Sequence, residues 1–588
     1  MRHGIMNPRL GMLTVLAAVI ASGLGCSAQT DSSSTDSTAS EGSLISTHLA
    51  TTPAFNSKTG AVTITMSDET AEVYIQSADS SLMVNGVQVV DTSVTPNVTA
   101  IAAGTKSNVK TITVGDSAGV VGDVVILNYL NGVFGVGSGT TAGTVVNLKA
   151  ANVASNSLVI KGTAGIDNYA FGASGISLTN GAKTPTKDIT SSNVGTYEVF
   201  LGAGNDIFTA GGNSAVGGAF AGANGVTVYG GDGNDTLVEG AVTTPKETFS
   251  GGNGTDTVDY SARPATHPVM VTVDPTGTTT ASGQMTTPGT PTAGVSENDY
   301  ILDAEIINGS LGNDYLAGGP AGTTTILNGG LGNDTFVQGA TPDGAQTMNG
   351  GGGTDVVDYS LRTAALTVTM DGKTASGDST ANSGAGEADI IGVDVANIKL
   401  GSGGGTYTGN ALNNTFFAGT AGVATVNGST GDDTLNEGDD SHGPASETFN
   451  GGAGTDTVDY SARTAALTVT MDGSTASGDA AQSEADVIGT DVENVYGGSA
   501  ADTLVGNAND NDMEGNGGGD TICGNEGNDT LLGYSAVGNS TGNGAILHGG
   551  DCADDADPGY NLCLNTGSTT NGALPAAAGA QNCELVSH

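Results

Sequence analysis

From residue 49 to 160, apolar and polar residues alternate over short runs. They include Val62-Thr63-Ile64-Thr65-Met66, Thr111-Ile112-Thr113-Val114 and Val124-Val125-Ile126-Leu127, separated by Gly, Asn, Asp and Pro. This pattern predicts short, half-buried strands. No stretch after the N-terminal apolar segment keeps a helical period. Further on, the alternation tightens into a repeat. Residues 497–532 are four nonapeptides in tandem, GGSAADTLV, GNANDNDME, GNGGGDTIC and GNEGNDTLL. Each opens on Gly, places Asp502, Asn511, Asp520 or Asp529 sixth, and places Leu504, Met513, Ile522 or Leu531 eighth. Half of such a unit is a turn and half a very short strand. One apolar side chain cannot be buried by one unit, so the copies must stack to make a continuous core.

A looser form of the unit runs upstream, with its acidic position at Asp167, Asp206, Asp235, Asp256, Asp314, Asp334, Asp355, Asp433 and Asp456. Asn414 stands where Asp is expected, which predicts a weaker or empty site there. If one nonapeptide is half a coil, alternate turns stack, placing Asp502 over Asp520 and Asn511 over Asp529. Asp235 to Asp256 is 21 residues, Asp314 to Asp334 is 20 and Asp433 to Asp456 is 23. Each spacing is one full coil plus a small insertion on the far side. Loops from Glu239 to Glu247, Gln338 to Gln346 and Glu437 to Glu447 hold those insertions, so only one edge keeps the turns there. The tandem block is then the one place where both edges keep them. A longer period overlies this one: GGNGTDTVDYSARPA from Gly251, GGGGTDVVDYSLRTA from Gly350 and GGAGTDTVDYSARTA from Gly451. Alternation in these segments sends Val258 and Tyr260 inward and leaves Asp259, Asp358 and Asp459 on a solvated face.

The turn chemistry suits a hard cation. Calcium takes six to eight oxygens from carboxylates and backbone carbonyls. Glycine admits the positive φ that turns carbonyls inward. The paired glycines are Gly230 and Gly233, Gly251 and Gly254, Gly329 and Gly332, Gly350 and Gly353, Gly451 and Gly454, Gly515 and Gly518, and Gly524 and Gly527. Stacked carboxylates repel unless a cation or a proton lies between them. The bland alternative is that each Asp merely caps its turn.

This unit resembles the G-G-x-G-x-D-x-U-x repeat of the RTX, or haemolysin-type, calcium-binding β-roll. The resemblance covers roughly residues 162–533. It implies an all-β chain built as a right-handed parallel β-roll or β-helix solenoid, with Gly/Asp calcium-binding turns and several Ca2+ ions. Similar proteins serve as surface-layer, adhesive or matrix components.

Composition agrees. The 588 residues include 96 Gly and no Trp, and 61 Asp+Glu against 15 Lys+Arg give a net charge of −46. Phosphate binding needs clustered Lys and Arg, so nucleic acid is excluded as a partner. Self-repulsion on this scale opposes compaction unless counter-ions bind.

The N-terminus is expected to be an export signal over 1–28, with Arg2 and Arg9 ahead of an apolar run too short to span a bilayer. Gly23-Leu24-Gly25-Cys26 resembles a bacterial lipoprotein box, which implies an outer-membrane lipid anchor on Cys26; cleavage after Ala28 is the alternative. A Ser/Thr-rich linker follows over 29–48, a β-rich region over 49–160 and the roll over 161–533. The remaining cysteines, Cys523, Cys552, Cys563 and Cys583, suffice for two disulfides and predict a disulfide-stabilised cap over 534–588. Scattered histidines without H-E-x-x-H exclude a zinc protease, and a phosphate loop ending in Gly-Lys-Ser/Thr is missing too. The chain is therefore expected to be a secreted, non-enzymatic surface protein. The alternative is a polysaccharide-acting enzyme, and a surface or matrix polysaccharide is an expected partner.

Overall fold

The computed structural model describes residues 53–533 with interruptions, the longest at 101–109, 132–142, 287–296 and 379–386, and short strands at 546–548, 561–564 and 583–585. The expected export signal, linker and most of the expected cap lie outside the described residues.

Among the described residues the regular secondary structure is strand, apart from a 3-10 turn at Ala150–Ser155. Most strands pair in parallel, coil over coil, with antiparallel excursions such as Thr70–Ile75 on Leu82–Val84 and Asn168–Gly172 on Gly175–Thr179. One sheet stacks Thr70–Ile75, Val124–Asn128, Ser157–Lys161, Thr196–Ala203, Val226–Asp232 and Glu247–Asn253. Its neighbour stacks Asn168–Gly172, Ile207–Thr209, Thr236–Val238 and Thr257–Asp259. The alternating pattern sets which side chains meet inside. Phe208, Leu237, Val258 and Ile307 lie in register and are fully buried, as are Val199, Val228 and Phe249 in the facing sheet. Val258 and Tyr260 point inward as the alternation requires.

The D-Y-S segments mark where new sheets begin. After Asp259 the chain inserts Val269–Thr272, which founds a new sheet and pairs onward with Tyr315–Ala317. Leu366–Thr369 and Thr468–Thr470 found new sheets in the same way after the second and third D-Y-S segments. The Gly-rich turns lead into the sheet of Asn168–Gly172 before the first segment and into the sheet of Tyr315–Ala317 after it, and they keep to that sheet past the second segment. In the tandem block both edges carry them. Thr503–Val505 stacks on Thr521–Cys523 in one sheet, and Asp512–Glu514 stacks on Thr530–Leu532 in another.

Candidate metal centre

Each Gly-rich turn leads into a strand whose apolar residue is buried, and its acidic residue sits two positions before that side chain, at the base of the turn. These acids form columns. The backbone N–H of Asp167 donates to Oδ1 of Asp206 at 2.7 Å, Asp206 to Asp235 at 2.8 Å, and Asp235 to Asp256 at 2.8 Å. A second column runs Asp314 to Asp334 to Asp355, both links at 2.8 Å. A third runs Asn414 to Asp433 to Asp456 at 2.8 Å and ends in Asn511 to Asp529 at 2.9 Å. The fourth is Asp502 to Asp520 at 3.0 Å. Turns a full coil apart are thus neighbours, and all the acidic or amide positions anticipated from sequence are buried.

Two members of the columns escaped the sequence reading. Asp256 donates to Oε2 of Glu305 at 2.8 Å, and Asp456 to Oε2 of Glu493 at 2.9 Å. No G-G-x-G precedes either glutamate. The available signal was position: Glu305 and Glu493 stand two residues before the buried Ile307 and Val495, as each Asp does before its own apolar residue.

The turns fall into two kinds, set by the residue four positions before the acid. Where that residue is Thr163, Ser310, Asn410, Gly498 or Asn507, its N–H donates into the side chain of Asp167, Asp314, Asn414, Asp502 or Asn511 at 2.5–2.9 Å. These turns are closed by that bond across their own five residues. The two asparagines also donate backwards, Asn414 Nδ2 to Ala396 O at 2.7 Å and Asn511 Nδ2 to Glu493 O at 3.0 Å. In the other turns the equivalent residue has positive φ: Gly202, Gly231, Gly252, Gly330, Gly351, Ser429, Gly452, Asn516 and Asn525. Its N–H then leaves the carboxylate; those of Gly351 and Gly452 donate instead to Asp394 and Asp491, at 2.8 and 2.9 Å. In these open turns Oδ2 of Asp206, Asp235, Asp334, Asp355, Asp433, Asp456 and Asp520 is buried without a hydrogen-bond donor. The tandem block contains both kinds, closed at Asp502 and Asn511 and open at Asp520 and Asp529.

Electrostatics mark the same groups. Burial, opposed by the accepted backbone bond and reinforced by neighbouring acids, pushes Asp334 up to about 8. Burial likewise pushes Asp520 up to about 7, and Asp206, Asp256, Asp433 and Asp456 to about 6. Adjacent coils are spaced by about 4.8 Å. Two bare charges at that distance repel by roughly 3–4 kcal/mol at an effective dielectric of about 20.

The glycines fit a metal cradle. A Cβ at Gly230 would lie 2.3 Å from Asp235 Oδ2 and 2.4 Å from the carbonyl oxygen of Gly251, and Gly329 and Gly428 repeat that geometry. Gly251, Gly350, Gly451, Gly515 and Gly524 would likewise meet their own turn's acid, at 2.1–2.4 Å. Gly233, Gly254, Gly332, Gly353, Gly454, Gly518 and Gly527 all take positive φ. Carboxylate and carbonyl oxygens therefore converge on space that only the missing side chain leaves open, and an all-oxygen donor set of this kind suits Ca2+.

The family model of the RTX calcium-binding nonapeptide repeat matches the chain in 4 copies, over residues 220–238, 302–320 and 496–531. The chain carries RTX calcium-binding repeats. The matched RTX segments contain Asp235, Asp314, Asp502, Asn511, Asp520 and Asp529. The columns carry the same arrangement into unmatched coils, through Asp334, Asp355, Asp433 and Asp456. No curated protein matches the chain.

Proposed function

We propose that the chain is an exported, surface-associated protein whose solenoid orders on binding several extracellular calcium ions. Its role is structural or adhesive rather than catalytic. The observation that carries this reading is the set of buried, unpartnered Oδ2 atoms in the open turns, stacked in columns of like charge. The calcium ligands are Asp206, Asp235, Asp256, Asp334, Asp355, Asp433, Asp456, Asp520 and Asp529 with the carbonyls of their glycines, while the closed turns hold themselves without an ion. Affinities belong to the extracellular range, about 10⁻⁴–10⁻³ M.

The strands of 49–160 belong to the same right-handed solenoid, a reading supported by parallel pairing from Ala61–Met66 through Thr111–Asp116 to Thr144–Asn147 and Ile189–Ser192. A cap tied through Cys523 closes the other end, supported by the burial of Cys523 and by Asn561–Leu564 pairing onto Thr530–Leu532. Lipidation of Cys26 anchors the chain to the outer membrane. A polysaccharide partner is favoured by the outward, stacked pair Phe200 and Tyr229, with ring centroids 4.7 Å apart and planes at 14°, beside Glu198. Equilibrium dialysis of the mature protein against calcium tests the reading. Several ions per chain, not displaced by equimolar magnesium, are expected; no bound calcium would refute it.

A further inference from the structure

Beneath the far edge of the solenoid, at the ends of the strands away from the Gly-rich turns, the chain buries an arginine three times: Arg263, Arg362 and Arg463. Each sits in the same frame. A buried tyrosine three residues earlier donates its hydroxyl to an aspartate: Tyr260 to Asp299 at 3.3 Å, Tyr359 to Asp389 at 3.2 Å, and Tyr460 to Asp486 at 2.8 Å. The arginine pairs with the glutamate two residues before that aspartate, Glu297, Glu387 or Glu484. The far-edge loop then closes over them. Its last residue, Glu247, Gln346 or Glu447, donates its N–H to the aspartate Oδ1 at 2.8–3.0 Å.

One thing differs. In the middle copy the loop begins and ends on amides, and Gln338 Nε2 donates to Gln346 Oε1 at 3.2 Å. In the outer copies those positions are glutamates. Glu239, Glu247 and Asp299 each bring a carboxylate oxygen within 4.8 Å of the others, as do Glu437, Glu447 and Asp486, and all six residues are buried. In the third copy neither carboxylate oxygen of Glu437, nor Oε2 of Glu447, accepts a hydrogen bond. The arginine does not balance them, because Arg463 Nη2 lies 2.6 Å from Glu484 and 3.7 Å from Glu437. Four buried carboxylates thus face one guanidinium. Burial first, then the adjacent carboxylates, pushes Glu437 and Glu447 far above the usual range.

We propose that Glu437, Glu447 and Asp486 hold a divalent cation, calcium, inside the solenoid, that Glu239, Glu247 and Asp299 hold a second, and that the Gln338–Gln346–Asp389 copy holds none. Oxygens at about 2.4 Å from a common centre lie at most about 4.8 Å apart, so the three-carboxylate cluster has the span of a calcium coordination shell. Its donors are all oxygen, which favours a hard cation over zinc. In the middle copy an amide N–H bridges the gap that the ion bridges elsewhere. These sites share no ligand with the turns and stand whether or not the turns bind calcium.

Metal counting on the full chain, dialysed at saturating calcium and read by atomic emission, tests the proposal. The variant E437Q/E447Q, built on the natural Gln338/Gln346 pair, is expected to bind one calcium fewer, and so is E239Q/E247Q. The reverse variant Q338E/Q346E is expected to bind one more. Unchanged counts in all three, as protons shared among the carboxylates would give, overturn the proposal. Should E437Q/E447Q lose several ions together with its β signal, the reverse variant decides: failure to gain one ion overturns the proposal.

Discussion

The backbone N–H of Asp334 donates to Oδ1 of Asp355 at 2.8 Å, while Oδ2 of the same Asp355 is buried without a donor. One oxygen of the carboxylate ties two coils together and the other remains for a ligand. The two roles separate by substitution. Asp355→Asn keeps an acceptor for Asp334 and loses the charge, so stability in chelator should change little while the stabilisation gained on adding calcium falls. Asp355→Ala also strands the Asp334 N–H and should cost about 1–3 kcal/mol even without calcium. Urea unfolding of both variants, with and without calcium, checks this; equal losses in chelator would contradict it.

Open and closed turns should respond differently. Asp520→Asn removes the charge from an open turn and should reduce bound calcium by one ion. Asp502→Asn changes a turn whose acid already accepts from Gly498 at 2.7 Å and should leave the count unchanged. Equal effects in equilibrium dialysis would show that the two kinds of turn do not differ in binding.

Acid should substitute for calcium. The turn acids have folded pKa values raised above their unfolded values near 4, to about 6 for Asp433 and about 8 for Asp334. The native state therefore binds more protons than the unfolded chain. The resulting stabilisation is fully present below about pH 4 and is lost as pH rises through about 6 to 8. Metal-stripped protein should be more resistant to urea at pH 5 than at pH 8, and calcium should remove most of the difference. Lower stability at pH 5 than at pH 8 would reverse the sign.

Gly233 has φ +127°, and a Cβ there would lie 1.6 Å from the carbonyl oxygen of Gly204 one coil away. Gly233→Ala combines an unfavourable backbone region with a clash against main chain that cannot move aside. It should cost more than about 2 kcal/mol. Hydrogen exchange should report the loss locally, in Val226–Asp232 and Thr196–Ala203; a fully protected variant would show that the coils have slack.

Much of the turn architecture was legible in the sequence because it is local. A nonapeptide contains its own turn glycine, its acid and its buried residue, so stacking of Asp502 with Asp520 follows from counting. Glu305 and Glu493 were not legible, since their membership of the columns depends on register set by coils up to 49 residues away. The division into open and closed turns depends on φ at a single residue, and Gly498 and Gly452 differ there without differing in kind. The buried Glu–Glu–Asp clusters were missed for another reason. Glu239 and Glu247 look like the polar ends of a surface loop, and only the returning chain at Asp299 covers them.

On the proposed function, calcium holds the columns of turn acids together. Far-UV circular dichroism of the mature protein, stripped of metal at pH 7.5 and titrated with calcium against a magnesium control, tests it most directly. A reduced β signal is expected in chelator, restored cooperatively by about millimolar calcium and not by magnesium. A full β spectrum in chelator, with no measurable calcium stoichiometry, would contradict it.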